Sequence, residues 1–317
     1  MPAPQGNAEP VLVSLLAASE YFEVAGLVTS RLPEPERELA YHQFLSHLLN
    51  GKLDVSGVYV ARQTSSARIV GVQVLQVSPG GVGSLILPFL RDQITNAAVT
   101  FALLQRAKQH FVERRVYFAQ MILPSDDVGQ AEPLLRIGFR HITRLLHMVR
   151  VGSDELPELI KPLPELVFTP YQETDSLAFA QAISQTYLDT LDVPETGLNR
   201  TPEEILQDLL ENDSNSSNWW IVSNKSNEVV AVLLMNVMSG ATLWDITYLG
   251  VLPMKKRQGI GTAMMHFVIQ KATEQGILGF HLSVDERNTP AQQLYQNFDF
   301  NLYRTQEVFL WRPDWEA

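Results

Sequence analysis

The stretch WDITYLGVLPMKKRQGIG, residues 244–261, decides the fold of this 317-residue chain. We predict a β-strand that ends near Pro253, then a loop that carries Gly259 and Gly261, then a helix from Thr262. A strand that leads through a glycine-bearing loop into a helix start brings unpaired backbone N–H groups together at the positive end of the helix dipole. The stretch therefore predicts a site for a phosphate or a pyrophosphate.

The loop is basic, because Lys255, Lys256 and Arg257 follow one another. The spacing of its glycines matches neither the P-loop nor the dinucleotide-binding fingerprint, in which a third glycine would stand where this chain has Met264. Judged alone, the loop is as compatible with a tight turn that carries solvated lysines as with an anion site. The sequence around it favours the anion site.

Two motifs at the expected separation resemble those of the GNAT superfamily of N-acetyltransferases. Residues 251–261, VLPMKKRQGIG, resemble motif A, V-x-P-x-x-[K/R]-x-x-G-x-G/A, with Lys256 where Gln or Arg is usual. Residues 283–295, SVDERNTPAQQLY, resemble motif B, and Asp299 then stands where the family has a glycine. The resemblance covers about residues 170–317 and implies an acyl-CoA-dependent N-acyltransferase.

The resemblance also implies roles for these residues. The backbone of residues 249–251 would pair with the pantetheine arm of acetyl-CoA, and the loop 256–262 would hold the pyrophosphate. Tyr295 would protonate the leaving thiolate, as a phenol with a pKa of about 10 can, and Asn288 would bind pantetheine or the helix start beside it. The cofactor-binding residues expected on this basis are Leu249, Gly250, Val251, Lys256, Arg257, Gln258, Gly259, Ile260, Gly261, Thr262 and Asn288.

Asp245 is the candidate base that takes a proton from the acceptor amine. It lies six residues before Val251, where several family members carry a glutamate, and we expect it on the same strand face as Val251. Other roles stay open. Asp245 is also compatible with an exposed strand residue or the partner of an arginine, Asn288 with a plain helix cap, and Tyr295 with a core residue.

The segment SDELPELIKPLPELVFTP, residues 153–170, contains four prolines and divides the chain. Such a segment forms neither a long helix nor a central strand, so we predict a linker. The expected domains are residues 1–152, followed by the linker, and residues 171–317.

The two halves show the same order of predicted elements. The strand pattern of residues 219–238 matches that of residues 58–77, and an offset of 161 carries Phe139 onto Phe300. We predict a tandem duplication, in which each half is an α/β domain with a mixed, mostly antiparallel sheet flanked by helices. Over the whole chain, this layout is similar to mycothiol synthase and other two-domain GNAT proteins.

The first half lacks the features of the predicted site. At the offset of 161, Ala98 and Thr100 stand in place of Gly259 and Gly261. The counterparts of Lys256, Arg257, Asn288 and Tyr295 are Thr95, Asn96, Asp127 and Leu134. We therefore expect a degenerate domain that binds no CoA in the usual mode.

Composition argues against several other classes of protein. The net charge of −11 disfavours sequence-independent binding of nucleic acid, which needs a basic face. The absence of cysteine excludes disulfides and thiolate nucleophiles, and the seven histidines show no ligand spacing, so we expect no metal. The N-terminal region has no basic start and no uninterrupted apolar run, so we expect no signal peptide, no membrane span and a cytoplasmic location.

The predicted function is transfer of an acetyl group from acetyl-CoA to a primary amine, carried by a small molecule or a peptide. Direct attack is expected, because the chain has no cysteine for a covalent acyl-enzyme. A second hypothesis is a non-catalytic acyl-CoA-binding or regulatory module, and a third is an acetyltransferase like mycothiol synthase. A tandem pair of domains can imitate a homodimer, which favours a monomer.

Overall fold

The structure, a computed structural model, describes residues 10–91, 97–151, 162–197, 200–212, 216–237, 243–277 and 279–315. They form two compact units, each a mixed α/β structure. Unit 1 comprises the residues up to Ile122, Asp126–His141 and those from Phe309 onward. Unit 2 comprises Leu123–Ser125 and Ile142–Val308.

Helices and strands follow the order that the sequence predicts. The elements of the first half are β1 (Val11–Leu15), α1 (Tyr21–Thr29), α2 (Glu36–Leu49), β2 (Val58–Gln63), β3 (Ile69–Val77), β4 (Val82–Leu85), β5 (Phe89–Leu90), α3 (Ala97–Glu113), β6 (Phe118–Pro124), α4 (Glu132–Arg136) and β7 (Arg140–Val151). Those of the second half are β8 (Leu166–Pro170), α5 (Ser176–Tyr187), α6 (Pro202–Asn212), β9 (Trp219–Asn224), β10 (Val229–Val237), β11 (Leu243–Val251), α7 (Ile260–Glu274), β12 (Gly279–Asp285), α8 (Thr289–Gln296) and β13 (Asn301–Trp311).

The sheet of unit 1 is mixed. Strands β1 to β4 pair with their sequence neighbours in antiparallel fashion, and β5 also pairs with β3. Strand β6 runs parallel to β4, because α3 returns the chain to the same end of the sheet. Buried valines of β2 and β3, such as Val58, Val60 and Val72, pack with Val24 of α1 to form a core.

The sheet of unit 2 repeats this arrangement. Strands β8, β9, β10 and β11 are antiparallel neighbours, and β12 runs parallel to β11 after the crossover through α7. On its other side β12 pairs in antiparallel fashion with β7. The predicted fold class is confirmed: a mixed, mostly antiparallel sheet flanked by helices.

Helices cover both faces of the unit 2 sheet. Met264, Met265 and Val268 are buried on one side of α7 and pack with Trp244 against one face. Phe179 of α5 packs against the other face, together with Val232 and Leu234 of β10. These helices form because their apolar residues recur at helical spacing.

Helix α6 begins at the capping box that the sequence predicts. The Thr201 hydroxyl accepts from the Glu204 N–H at 3.2 Å, and the Glu204 carboxylate accepts from the Thr201 N–H at 2.8 Å. Pro202 occupies the first helical position, where its missing N–H leaves no bond unmade.

The offset of 161 recurs in the element boundaries. Strand β9 lies 161 residues after β2, and β12 lies 161 residues after β6, with equal lengths in both pairs. The first residues of β7 and β13 are separated by the same offset. Equivalent elements therefore recur in the same order in the two halves.

The compact units differ from the expected domain boundaries in two places. Residues 142–151 of β7 lie in unit 2, although we expected them in the first domain. Residues 166–170, expected in the linker, form β8 at the edge of the sheet, where Pro170 removes no central ladder bond. Residues 153–161 of the predicted linker lie outside the described part of the chain.

Candidate active site

Strands β11 and β12 separate part of the way along their length. Their parallel pairing joins Leu243 to Gly279, Trp244 to Phe280 and Asp245 to His281. Both strands continue, β11 to Val251 and β12 to Asp285, yet no further pairing between them is found among the described residues. One edge of β11 after Asp245 is therefore open within unit 2.

The parity of β11 shows which backbone groups face this open edge. The N–H of Leu252, just after the strand, donates to the Val230 carbonyl on β10 at 3.0 Å. Because successive residues of a strand alternate in direction, Gly250 also turns its N–H and C=O towards β10. Leu249 and Val251 turn theirs towards the open edge, as an added extended segment would need.

A β-bulge in β11 corrects the expected orientation of Asp245. Leu234 of β10 pairs with Tyr248 and Met235 pairs with Ile246, so Thr247 is an extra residue. Ile246 and Val251 both pack into the core on the α7 face, and Asp245 points to the opposite face. The expectation that Asp245 shares the face of Val251 is therefore wrong, because the bulge reverses the alternation between them.

The loop after β11 presents a run of unbonded N–H groups at the start of α7. Among the described residues, none accepts a hydrogen bond from the backbone N–H groups of residues 258–262. Arg257 has φ 65° and Gly259, the N-cap residue, has φ 79°. A Cβ at Gly259 would contact only Pro164, at 3.5 Å, so the left-handed backbone rather than crowding requires glycine there.

The other residues of the loop and helix start have varied surroundings. A Cβ at Gly261 would lie 3.1 Å from the Leu294 side chain, so α7 and α8 approach closely there. Ile260 is buried in the core, Thr262 is partly buried, and exposed Gln258 donates to the Met254 carbonyl at 3.1 Å. Ile260 therefore anchors the helix start to the core, while Gln258 lies at the surface.

Two of the three cations in the loop already have partners. Lys255 donates to the Glu228 carboxylate at 2.6 Å, and Lys256 donates to the Asp189 carbonyl at 2.8 Å. The exposed Arg257 has no hydrogen-bond partner among the described residues. Arg257 is thus the loop cation whose charge is most available to an anion.

Asn288 caps α8. Its side-chain carbonyl accepts from the Ala291 N–H at 3.3 Å, and Pro290 lies in the first turn of the helix. The capping role that the sequence left open is therefore present. The Asn288 side-chain NH₂ has no partner in the described part of the chain, so it remains a possible donor to a ligand.

Tyr295 is a buried residue of α8, with 7% of its surface exposed. Its ring packs at 5.9 Å from that of Phe300, and its hydroxyl makes no hydrogen bond to any described residue. Burial, together with the charge of Asp192, raises the pKa of Tyr295 above its ordinary value. Tyr295 therefore keeps its proton throughout the physiological range.

Gly250 owes its identity to packing. A Cβ there would lie 2.7 Å from the Tyr248 hydroxyl and 2.8 Å from Cβ of Thr186. The hydroxyls of Tyr248 and Thr186 are joined by a 2.6 Å hydrogen bond. A side chain at residue 250 would displace this pair, which explains the glycine without any contact to a ligand.

Asp192 is a candidate that the sequence did not indicate. Burial, helped by the charge of the Asp285 carboxylate, raises the pKa of Asp192 to about 6, although the hydrogen bond from the Asp285 N–H and the charge of Arg287 act in the opposite direction. Its Oδ1 accepts from the Asp285 N–H at 2.8 Å, at the end of β12. The charge of Asp192 is also one of the causes that raise the pKa of Tyr295 and of Tyr248, after burial in both cases.

A buried carboxylate holds the loop of Asp192 in place. Asp285 is fully buried and accepts from the Thr143 hydroxyl at 2.6 Å and from the Val193 N–H at 3.0 Å. Arg287 joins Asp285, at 2.7 Å, to Glu195, at 2.8 and 3.0 Å. Burial raises the pKa of Asp285. The hydrogen bonds to its carboxylate, of which the one from Arg287 has the largest effect, outweigh burial and lower the pKa below its ordinary value.

Both oxygens of Asp245 accept hydrogen bonds. The Thr247 hydroxyl donates to Oδ2 at 2.9 Å, and His281 Nδ1 lies 2.5 Å from Oδ1. No arginine contacts Asp245 among the described residues. The partner is therefore a histidine from the neighbouring strand, which the sequence did not indicate because the two residues lie 36 positions apart.

The corresponding positions of the first half have different surroundings. Ala98 and Thr100 lie within α3, and Leu134 of α4 is fully buried in unit 1. Asp127 lies in a short 3-10 helix before α4. Residues 95 and 96 lie outside the described part of the chain.

The site combines an open strand edge, a glycine-capped helix start and a buried phenol. These are features of an acyltransferase. The model of the Acetyltransferase (GNAT) family matches residues 182–300. The chain therefore contains a GNAT acetyltransferase domain. A comparison with curated proteins gives no match.

Solved structures with the same fold cover nearly the whole chain. A GCN5-related N-acetyltransferase from Sphaerobacter thermophilus is 15% identical, with a TM-score of 0.64 and coverage of 96% of this chain and 98% of that one. A tandem GNAT protein from the clavulanic acid biosynthesis pathway is 12% identical, with a TM-score of 0.55 and coverage of 96% and 98%. A glucosamine N-acetyltransferase region of a fungal multi-domain GH3 β-N-acetylglucosaminidase is 13% identical, with a TM-score of 0.60 and coverage of 96% and 38%.

Two further features bear on the kind of site. None of the described helices is long and apolar enough to cross a membrane. Within the described ranges, no group of three or more His, Asp or Glu side chains is arranged to hold a metal ion.

Proposed function

We propose that the C-terminal domain transfers an acetyl group from acetyl-CoA to a primary amine by direct attack. The observation that carries this proposal is the separation of β11 from β12 after Asp245, beside the unbonded N–H groups at the start of α7. An open strand edge suits an extended amide-bearing chain, and a helix start suits a pyrophosphate. Acetyl-CoA meets both requirements, because it carries the amide-bearing pantetheine arm and a pyrophosphate in one molecule.

The residues at the open edge of β11 and at the start of α7 fit acetyl-CoA, which supplies the acetyl group as a thioester. Leu249 and Val251 would bond the pantetheine amides through their backbone groups. The N–H groups of residues 258–262 and the guanidinium of Arg257 would hold the pyrophosphate. The amide of Asn288 would contact pantetheine while its carbonyl caps α8.

Gly250 and Lys256 have weaker support as cofactor ligands. The backbone of Gly250 faces β10, and its lack of a side chain accommodates Tyr248. The Lys256 ammonium is bound to the Asp189 carbonyl, so it would have to exchange that partner for a phosphate. We propose that Lys256 makes this exchange and that Gly250 acts through packing.

Tyr295 is the proposed acid that protonates the leaving thiolate. Its raised pKa keeps the phenol protonated, and so able to donate, throughout the physiological pH range. The hydroxyl has no partner among the described residues, so no protein hydrogen bond must break when it donates.

Asp245 is the proposed base that takes the proton of the attacking amine. Asp192 is the second candidate, since a carboxyl with a pKa of about 6 is better matched to proton transfer near neutral pH. Replacing each by asparagine separates them, because the variant that loses the base loses turnover and keeps acetyl-CoA affinity. Asp245 remains the first choice, as it lies where the two strands begin to separate.

The first half is proposed to bind no acyl-CoA. Ala98 and Thr100 lie inside α3, and Leu134 carries no acidic group where the second half has Tyr295. Its role would then be structural or concern the acceptor. The amine screen described next also tests the two alternatives, a non-catalytic acyl-CoA-binding module and a mycothiol-synthase-like enzyme.

The test is a screen of amines and peptides with acetyl-CoA, read by thiol release and by the mass of the product. The proposal expects at least one acetylated primary amine and loss of turnover in Tyr295→Phe. Binding of acetyl-CoA without transfer to any amine would favour the non-catalytic module. Transfer restricted to a cysteinyl aminoglycoside would favour the mycothiol-synthase-like enzyme.

A further inference from the structure

Two histidines extend the hydrogen bonds of Asp245 away from the open strand edge. Asp245 Oδ1 lies 2.5 Å from His281 Nδ1, and His281 Nε2 lies 3.2 Å from His147 Nδ1. His147 Nε2 then lies 2.5 Å from Oε1 of Gln306. Three titratable groups thus form one continuous chain within unit 2.

Pairing of β12 with β7 brings these residues together. His147 lies opposite Ser283, and His281 lies diagonally from it, so both rings share one face of the sheet. Ring centroids are 5.4 Å apart and the planes differ by 17°. Tyr303 of β13 packs edge-on against both rings, at 6.1 and 5.8 Å. The histidines therefore have a fixed geometry.

The protons of this chain can be counted from its contacts. If Gln306 accepts through Oε1, His147 carries a proton on Nε2 and accepts at Nδ1. His281 then donates from Nε2 to His147 and shares a proton between Nδ1 and Asp245. Two imidazoles and one carboxylate hold three protons in this arrangement, which is one more than two neutral imidazoles carry.

We propose that His281 and His147 form a relay that receives the amine proton from Asp245. This inference rests on the proposed function. In the step, the N–H bond of the attacking ammonium breaks and an O–H bond forms on Asp245. Before this step the imidazole pair releases its extra proton to water, which leaves Nδ1 of His281 free to accept. The proton on Asp245 then passes to Nδ1 of His281 and restores the arrangement with three protons. Both histidines are positioning residues, because they act through Asp245.

The surroundings suit a pair that gains and loses one proton. Asp245 of β11 favours the protonated pair, and Arg304 of β13 opposes it, while Ser283 of β12 lies 2.9 Å from His147 Nδ1. Burial lowers the pKa of His147, and the hydrogen bond to Gln306 acts in the opposite direction. Burial of His147 therefore favours release of the extra proton, after which the pair can accept one from Asp245.

A purely structural pair would also pack as observed, so the test must separate the two roles. His281→Asn keeps an N–H donor near Asp245 but cannot carry a proton, and His147→Gln leaves the Asp245–His281 contact in place. His47→Gln, on the exposed surface of α2, is the matched control. Acetyl transfer is measured against pH for each variant and divided by the wild-type value, which cancels the ionisation of the amine.

The relay predicts that the ratio of variant to wild-type activity depends on pH. At high pH we expect His281→Asn to be slower by about 100-fold and His147→Gln by about 10-fold. As the pH falls and the wild-type pair becomes protonated, both ratios should rise towards one, while His47→Gln stays at one throughout. An active wild-type enzyme with the same ratio at every pH for both variants would overturn the relay.

Nitrogen NMR of the resting protein gives a readout that does not depend on catalysis. The relay predicts that the rings of His147 and His281 titrate together, taking up one shared proton, and that Asp245→Asn lowers their common midpoint. Separate titrations, unaffected by Asp245→Asn, would overturn the relay even if acetyl transfer occurs. A protein whose pair shares a proton but which acetylates no amine would instead refute the proposed function.

Discussion

Replacing Tyr295 with phenylalanine removes one hydroxyl from the buried face of α8 and keeps the ring beside Phe300. The lost hydroxyl makes no hydrogen bond to a described residue, so the variant should fold with nearly unchanged stability. The open edge of β11 and the start of α7 are untouched, so acetyl-CoA affinity should also stay within about twofold.

The size of the effect on turnover follows from the pKa of the phenol. A general acid contributes about 10²- to 10⁴-fold to a rate. Burial raises the pKa of Tyr295 above 10, further from the value of about 8.5 of a thiol, so proton transfer to the thiolate is uphill. We therefore expect the lower end of the range, a decrease of about 100-fold in kcat.

The assay is thiol release at saturating acetyl-CoA and amine, with Tyr41→Phe in α2 of the first half as the control. The raised pKa also predicts no fall in rate at alkaline pH from loss of the Tyr295 proton. If Tyr295→Phe keeps more than half of the wild-type kcat while binding acetyl-CoA normally, the assignment of Tyr295 as the acid is wrong.

Three further predictions follow from the same contacts. Arg257→Ala should weaken acetyl-CoA binding by about 10-fold in calorimetry, and by less at high salt. The control Lys271→Ala, at the far end of α7, should leave binding unchanged, and equal effects of the two variants would contradict a role for Arg257 in anion binding. Thr201→Ala removes the N-cap of α6 and should lower the free energy of unfolding by about 1 kcal/mol without changing kcat, and an unchanged melting temperature would contradict the cap. Arg287→Ala should lower that free energy by about 2 kcal/mol at pH 7, because Asp285 is fully buried and Arg287 partly exposed. The pKa of Asp285 lies below its ordinary value, so its contribution is present above about pH 3.9 and is lost as the pH falls; a difference that grows in acid would refute this account.

Local features of the fold could be predicted from the sequence. The strand, loop and helix of residues 244–274 follow from turn residues and apolar spacing, and the capping box at Thr201 needs only four adjacent residues. The order of elements in the two halves was also predictable, because insertions between them are few. Each of these features depends on residues close together in the chain.

Pairings between distant strands were not predictable. Strand β7 is the last strand of the first half but pairs with β12 of the second half, and this choice depends on the whole sheet. The pattern of residues 166–170 is short and ends in Pro170, so it resembles a linker more than the edge strand it forms. Long-range pairing leaves no signature in the local sequence.

The candidate site was also predictable only where its residues lie in local motifs. Gly259 and Tyr295 could be found from motif spacing, because the resemblance fixes their positions. The bulge at Thr247 could not, since one extra residue in a strand changes no local preference, and it reversed the face of Asp245. His147 and Asp192 come from segments outside both motifs, and only the folded chain brings His147 to His281 and Asp192 to Asp285.

A single acyl-CoA site in the C-terminal domain is the central claim, and titration calorimetry with acetyl-CoA tests it most directly. We predict one site per chain, abolished by Gly259→Val, because a β-branched residue is strained at the φ of 79° found there. Two equivalent sites per chain, or one site that survives Gly259→Val with unchanged affinity, would contradict the claim.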